Sequence, residues 1–111
     1  MQSRYGVVMV LFDLPVATTA DRRTYHQFMK TLKRNGYMYF HDSVYVKLLR
    51  NISSTQAEIE KLKREAPEKG SVRALPMNMS AFRAMVIVQG EPFNINLFSD
   101  DVIVVEDSIE D

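Results

Sequence analysis

The sequence predicts a small α+β domain of the order βαββαβ. Two observations carry this. Apolar residues change period several times along the chain, between runs or alternation suited to strands and an i, i+3, i+4, i+7 pattern suited to helices. Gly, Pro or Asn stands at most of the changes. With 111 residues, 46% of them hydrophobic and 25% charged, there is room for one core and little more.

Val7 to Phe12 form an unbroken apolar run ending at Asp13, as expected of a central strand covered on both faces. Leu14 and Pro15 stop it, because proline lacks a ladder donor and restricts its predecessor. Thr18 and Asp21 have the spacing of a capping box, with Asp in place of Glu. Tyr25, Phe28, Met29 and Leu32 then mark one face of a helix that Asn35 and Gly36 close.

From Tyr37 to Leu48 the period is two. Met38, Phe40, Val44, Val46 and Leu48 share one face; Tyr37, Tyr39, His41, Ser43, Tyr45 and Lys47 share the other. This is one long strand or a hairpin turning at Asp42-Ser43. Ser53 or Ser54 is expected to cap a second helix to about Arg64, with Ile52, Ala57, Ile59, Leu62 and Ala66 as its apolar positions, ended by Pro67 and Gly70. Val72, Ala74 and Leu75 predict a short strand halted at Pro76, and Met85 to Val88 a further strand before Gly90 and Pro92. Val102, Ile103, Val104 and Val105, flanked by acids, read as a last edge strand that pairs within the chain or adds to a partner's sheet. The order matches a ferredoxin-like domain over residues 1–90, followed by an acidic extension over 91–111.

The chain has no cysteine, which excludes disulfides and thiolate metal sites. Neither a signal peptide nor an apolar run of membrane-spanning length is present, so a soluble, cytoplasmic protein with no membrane contact is expected. The zero net charge hides a segregation: residues 1–50 hold 8 Lys and Arg against 3 Asp and Glu, whereas residues 51–111 hold 6 against 11. A basic half and an acidic end suit phosphates and a protein partner respectively; a merely solvated tail suits the same composition.

Several short motifs resemble one family in order and spacing: VLFDLP at 10–15, NGY at 35–37, SVYV at 43–46 and SVRALP at 71–76. Together, over roughly residues 5–90, they resemble the Cas-two family of CRISPR adaptation subunits, in the form found beside type II effectors. The resemblance implies a ferredoxin-like homodimer that binds duplex DNA and the Cas-one integrase during spacer acquisition. It also implies a disputed metal-dependent endonuclease activity on RNA or DNA. The chain departs from the family where many relatives have Gln: it carries His41, followed by Asp42.

Asp13 is the residue most suited to chemistry. A carboxylate ending a buried strand needs a cleft, a cation or backbone donors. Under the resemblance, Asp13 from two subunits would hold Mg²⁺ or Mn²⁺ and act as the catalytic position; otherwise it bonds amides of the Leu14 to Ala17 turn. One carboxylate per chain is a thin ligand set, which favours a scaffold over an enzyme. Arg22, Arg23, Lys30, Lys33 and Arg34 lie off the apolar stripe of the first helix and are the candidate nucleic-acid contacts, the first two being close in sequence to the Asp13 strand end; a solvated helix face is the alternative. Val102 to Val105 are the candidate partner-binding residues. His26 and His41 are assigned no catalytic role, and Tyr37, Tyr39 and Tyr45 are assigned to sheet packing or dimer contacts rather than base stacking.

Overall fold

A computed structural model describes residues 4–91. In chain order it contains β1 (Gly6–Asp13), α1 (Thr19–Arg34), β2 (Met38–His41), β3 (Val44–Leu49), a 3-10 turn (Ile52–Ser54), α2 (Thr55–Glu65), β4 (Ser71–Asn78) and α3 (Met79–Arg83). The four strands form one antiparallel sheet in the order β2-β3-β1-β4. That is the βαββαβ ferredoxin-like arrangement.

The apolar run takes the centre of the sheet because both its faces can be covered there. Val8, Val10 and Phe12 face α1 and α2 and pack with Phe28, Leu32 and Leu62. Val7 and Met9 face the other way and pack with Val46, Met79 and Phe82. Phe12 anchors the first layer: its ring meets Phe28 edge-on at 5.5 Å and Tyr45 at 5.9 Å.

The start and stop of α1 follow the sequence. Asp21 N–H donates to Thr18 Oγ1 at 3.0 Å and Thr18 N–H donates back to Asp21 Oδ2 at 3.3 Å, completing the capping box. Gly36 then takes φ 94, where a side chain is strained. Phe28 and Leu32 are buried and Tyr25 and Met29 half-buried, as the stripe requires. The alternating segment is a hairpin: Asp42 and Ser43 form the turn, Ser43 takes φ 60, and the register shifts between Tyr39 and His41. The Tyr39 hydroxyl donates to Asp42 Oδ1 at 2.9 Å across that turn. Tyr37 and Tyr45 are buried in the helix-side layer, so both are packing residues.

Four expectations are corrected. The second helix is not capped by a serine side chain: Asn51 caps the 3-10 turn by accepting from Ser53 N–H, and Ser54 makes no side-chain cap bond. Its buried face is narrower than expected, since Leu62 is buried, Ile59 and Ala66 are half-buried, and Ile52 and Ala57 are exposed. Pro76 does not halt the fourth strand, which runs from Ser71 to Asn78 with Pro76 opposite Val8. Among the described residues β4 lies at the edge of the sheet, where a proline whose nitrogen faces outward removes no ladder bond. Met85 to Val88 are not a strand: Asn78 caps α3 through Ala81 N–H at 2.8 Å, α3 folds over the second face of the sheet, and the chain beyond it leaves the sheet. Val86 and Val88 are 76% and 94% exposed. The proposed strand at Val102, Ile103, Val104 and Val105 lies outside the described residues, as does the acidic extension after Glu91.

α2 is tied to the hairpin by one carboxylate. Glu58 accepts from the Tyr37 hydroxyl at 3.0 Å and from Lys47 Nζ at 2.8 Å, and Lys47 lies 5.6 Å from the Tyr37 ring centre. Burial, then the charge and acceptor of Glu58, hold the Tyr37 phenol well above the ordinary tyrosine range. A phenol raised in the folded state stabilises fully below the unfolded value of about 10 and loses that contribution as pH rises beyond it. Tyr37→Phe is therefore expected to cost about 1–2 kcal/mol at neutral pH, through loss of a bond to a charged acceptor. Above about pH 10 its stability should fall less steeply than wild type. Urea midpoints between neutral pH and strong alkali check this; parallel decline of the two proteins would refute it.

Candidate functional site

Asp13 is the last residue of β1 and points to the sheet face opposite α1 and α2, because it alternates with Phe12. It is exposed, and its carboxylate makes no hydrogen bond or ion pair with any described residue. The alternative in which it bonds amides of the following turn is not the one the structure adopts. Directly across the ladder is Ser71, and two residues along β4, on the same face, is Arg73, opposite Leu11. Leu11, Phe12, Asp13, Ser71 and Arg73 line a shallow cavity of about 280 Å³.

Gly70 sets the backbone at this end of the sheet. It has φ 88, and a Cβ there would lie 2.7 Å from the Asp13 carbonyl oxygen and 3.1 Å from Leu14 Cα. The α2–β4 connection thus packs backbone to backbone against the end of β1, with no room for a side chain.

The basic residues of α1 occupy a different surface. At 100° per residue, Arg23, Lys30 and Arg34 fall on one line, flanked by His26 and Lys33, along about 17 Å of helix. All are exposed, and among the described residues none forms an ion pair with an acid. Arg22 differs: Nη1 donates to the Val16 and Ala17 carbonyls at 2.9 and 3.2 Å, and Nη2 to Thr19 Oγ1 at 3.4 Å. It braces the β1–α1 loop. α1 packs on the face of the sheet opposite the one from which Asp13 projects, and among the described residues no hydrogen bond or ion pair joins Arg22 or Arg23 to Asp13. His26 and His41 are exposed, and among the described residues neither forms a hydrogen bond or ion pair with Asp13.

Among the described residues no three His, Cys, Asp or Glu side chains come together as a metal cluster requires. Nor is any described helix long and apolar enough to cross a membrane. Sequence reasoning did not single out Arg73. Its signal was there in the alternation of SVRALP, where Val72 and Ala74 pack under the helices and Arg73 must face the Asp13 side.

The profile of the family described as CRISPR associated protein Cas2 matches residues 7–85, which include β1 from Val7 to Asp13, α1 and all of β4. The chain belongs to the Cas2 family. Similar proteins include the "CRISPR-associated endoribonuclease Cas2" of Streptococcus mutans, 36% identical over 84 residues that cover 76% of this chain and 78% of the relative. That of Acidovorax ebreus is 36% identical over 85 residues, 77% of this chain and 83% of the relative. That of Treponema denticola is 33% identical over 98 residues, 88% of this chain and 97% of the relative. The Cas2 match thus takes in both candidate surfaces, the α1 stripe and the Asp13 cavity.

Gly70→Ala is expected to destabilise this Cas2 protein by about 2 kcal/mol or more, from the left-handed backbone together with the clash at Asp13 and Leu14. Denaturant unfolding measures it; a change within about 0.5 kcal/mol would show that the connection relaxes freely.

Proposed function

We propose that this protein is a homodimeric subunit of CRISPR spacer acquisition in the cytoplasm, a scaffold that binds duplex DNA and the Cas-one integrase. The observation that carries the reading is the α1 stripe: exposed cations without acidic partners among the described residues, on a rigid capped helix. Such a surface suits backbone phosphates without base selectivity. Dimerisation is supported by the sheet face opposite the helices, where Leu11 and Leu75 are 37% and 51% exposed beside the buried Met9 and Val46. The acidic extension, with Val102 to Val105 inside it, offers a segment of the opposite charge to a protein partner.

A second reading is a metal-dependent endonuclease, favoured by the unengaged Asp13 carboxylate and by the relatives' name, endoribonuclease. One chain supplies a single carboxylate and the Ser71 hydroxyl at this point, too few for a Mg²⁺ or Mn²⁺ cage. The donor set fits a cation only when two copies contribute Asp13, with water and substrate phosphate completing the shell. The cation would polarise the phosphodiester; Asp13 would anchor it.

Replacing Arg23, Lys30 and Arg34 by Ala should weaken duplex DNA binding more than about ten-fold near 0.15 M salt and lower the log–log salt slope by about 2–3. An unchanged slope would remove α1 from the interface. In a reconstituted integration assay, Asp13→Asn is expected to retain activity once folding and dimerisation are confirmed. Lost integration with DNA binding intact would move the endonuclease reading ahead.

A further inference from the structure

Arg73 and Asp13 stand on neighbouring strands, on one face of the sheet, as a diagonal cross-strand pair. They have opposite charge, both are exposed, and both line the same shallow cavity, yet they form no ion pair with each other or with any described residue. Exposed charges so placed are within reach of pairing, so a free carboxylate and a free guanidinium in one cavity make a composite polar site open to a third group. The group must accept hydrogen bonds from a planar fork of N–H donors and tolerate a carboxylate nearby, directly or through a bridging cation. A phosphodiester meets both conditions: its two unbridged oxygens match the guanidinium, and a cation or water can sit between it and the carboxylate. Ser71, opposite Asp13 on the cavity wall, adds a hydroxyl donor.

We propose that Arg73 is a phosphate-binding residue of the Asp13 cavity, holding one phosphodiester of a nucleic-acid backbone on the sheet face opposite α1. This builds on the reading of Asp13 as a cation-holding carboxylate, and it adds a second, separate contact surface to the α1 stripe. The competing explanation of a charge at this position is that Arg73, on the edge strand, only deters unwanted strand pairing. That explanation leaves nucleic-acid affinity untouched.

The test is the salt dependence of binding by the full chain, followed by fluorescence anisotropy with a short duplex DNA and with a single-stranded RNA of the same length, first in EDTA and then with Mg²⁺. In EDTA, Arg73→Ala should lower the slope by about 0.9 on duplex or about 0.7 on single strand for each Arg73 engaged, and weaken binding about five-fold per contact near 0.15 M salt. Arg73→Lys should restore the slope and only part of the affinity, because it keeps the charge and loses the fork. A loss confined to one probe identifies the backbone the cavity takes. Unchanged slopes on both probes overturn the proposal. So does a loss that disappears when variants are compared at equal dimer concentration by gel filtration, since Arg73 would then act on assembly alone. Asp13 is read separately: Asp13→Asn should tighten binding in EDTA, by removing a like charge beside the phosphate, and abolish any gain on adding Mg²⁺. If Mg²⁺ strengthens binding equally with and without the Asp13 carboxylate, the cation reading fails while the Arg73 result stands.

Discussion

The structure depends on burying β1 on both faces. A run of Val, Met, Leu and Phe with no polar interruption cannot lie at the edge of a one-sided sheet without exposing one side of itself. It therefore takes a central place between β3 and β4, with α1 and α2 over Val8, Val10 and Phe12. The second face, with Val7 and Met9, has only the five-residue α3 from the described chain to cover it. Leu11 and Leu75 are left partly bare. The chain thus meets the demand of its central strand on one side and leaves an apolar area on the other, where a second copy can complete the burial.

The same constraint fixes where chemistry can occur. A charged residue can follow such a strand only where the layers end, and Asp13 is that residue. Gly70, pressed against the Asp13 carbonyl, closes the backbone behind it and lets the side chain face outward. The cations of α1 owe their position to the opposite layer: the helix buries Phe28 and Leu32, so Arg23, Lys30 and Arg34 must face solvent. Two polar surfaces result, separated by the thickness of the sheet.

Local chemistry made much of this legible in the sequence. The Thr18 and Asp21 box, the Asn35-Gly36 stop, the continuous β1 run and the turn at Asp42-Ser43 depend on neighbours in sequence, and each forms as expected. What was hidden depends on neighbours in space. Pro76 ends a strand only if both its edges are paired, and nothing local says that β4 lies at the edge. Met85 to Val88 have the composition of a strand, but a strand needs a partner, and α3 carries them off the sheet. Ser54 stands at the start of α2 without a side-chain cap bond, because the chain enters the helix through a 3-10 turn that Asn51 caps instead. The bonds of Arg22 to the Val16 and Ala17 carbonyls follow from the path of the β1–α1 loop, which residue spacing does not show. Arg73 was unremarked because its meaning comes from lying across from β1 near Asp13, a relation of register between segments sixty residues apart.

The separation of the two surfaces bears on how scaffold and nuclease readings relate. If phosphates bound only along α1, the backbone they belong to would lie on the helix layer, and Asp13 would have no substrate within reach. Cleavage by Asp13 requires a phosphodiester on the far side of the sheet, held by groups that belong to that side. Of the described residues lining that cavity, Arg73 is the one cation and Ser71 the one neutral side-chain donor. A scaffold role therefore makes no demand on Arg73, whereas an enzymatic role does. Binding along α1 and chemistry at Asp13 are in this sense independent properties of one fold, and the occupancy of the Asp13 cavity, more than DNA affinity as a whole, is what distinguishes them.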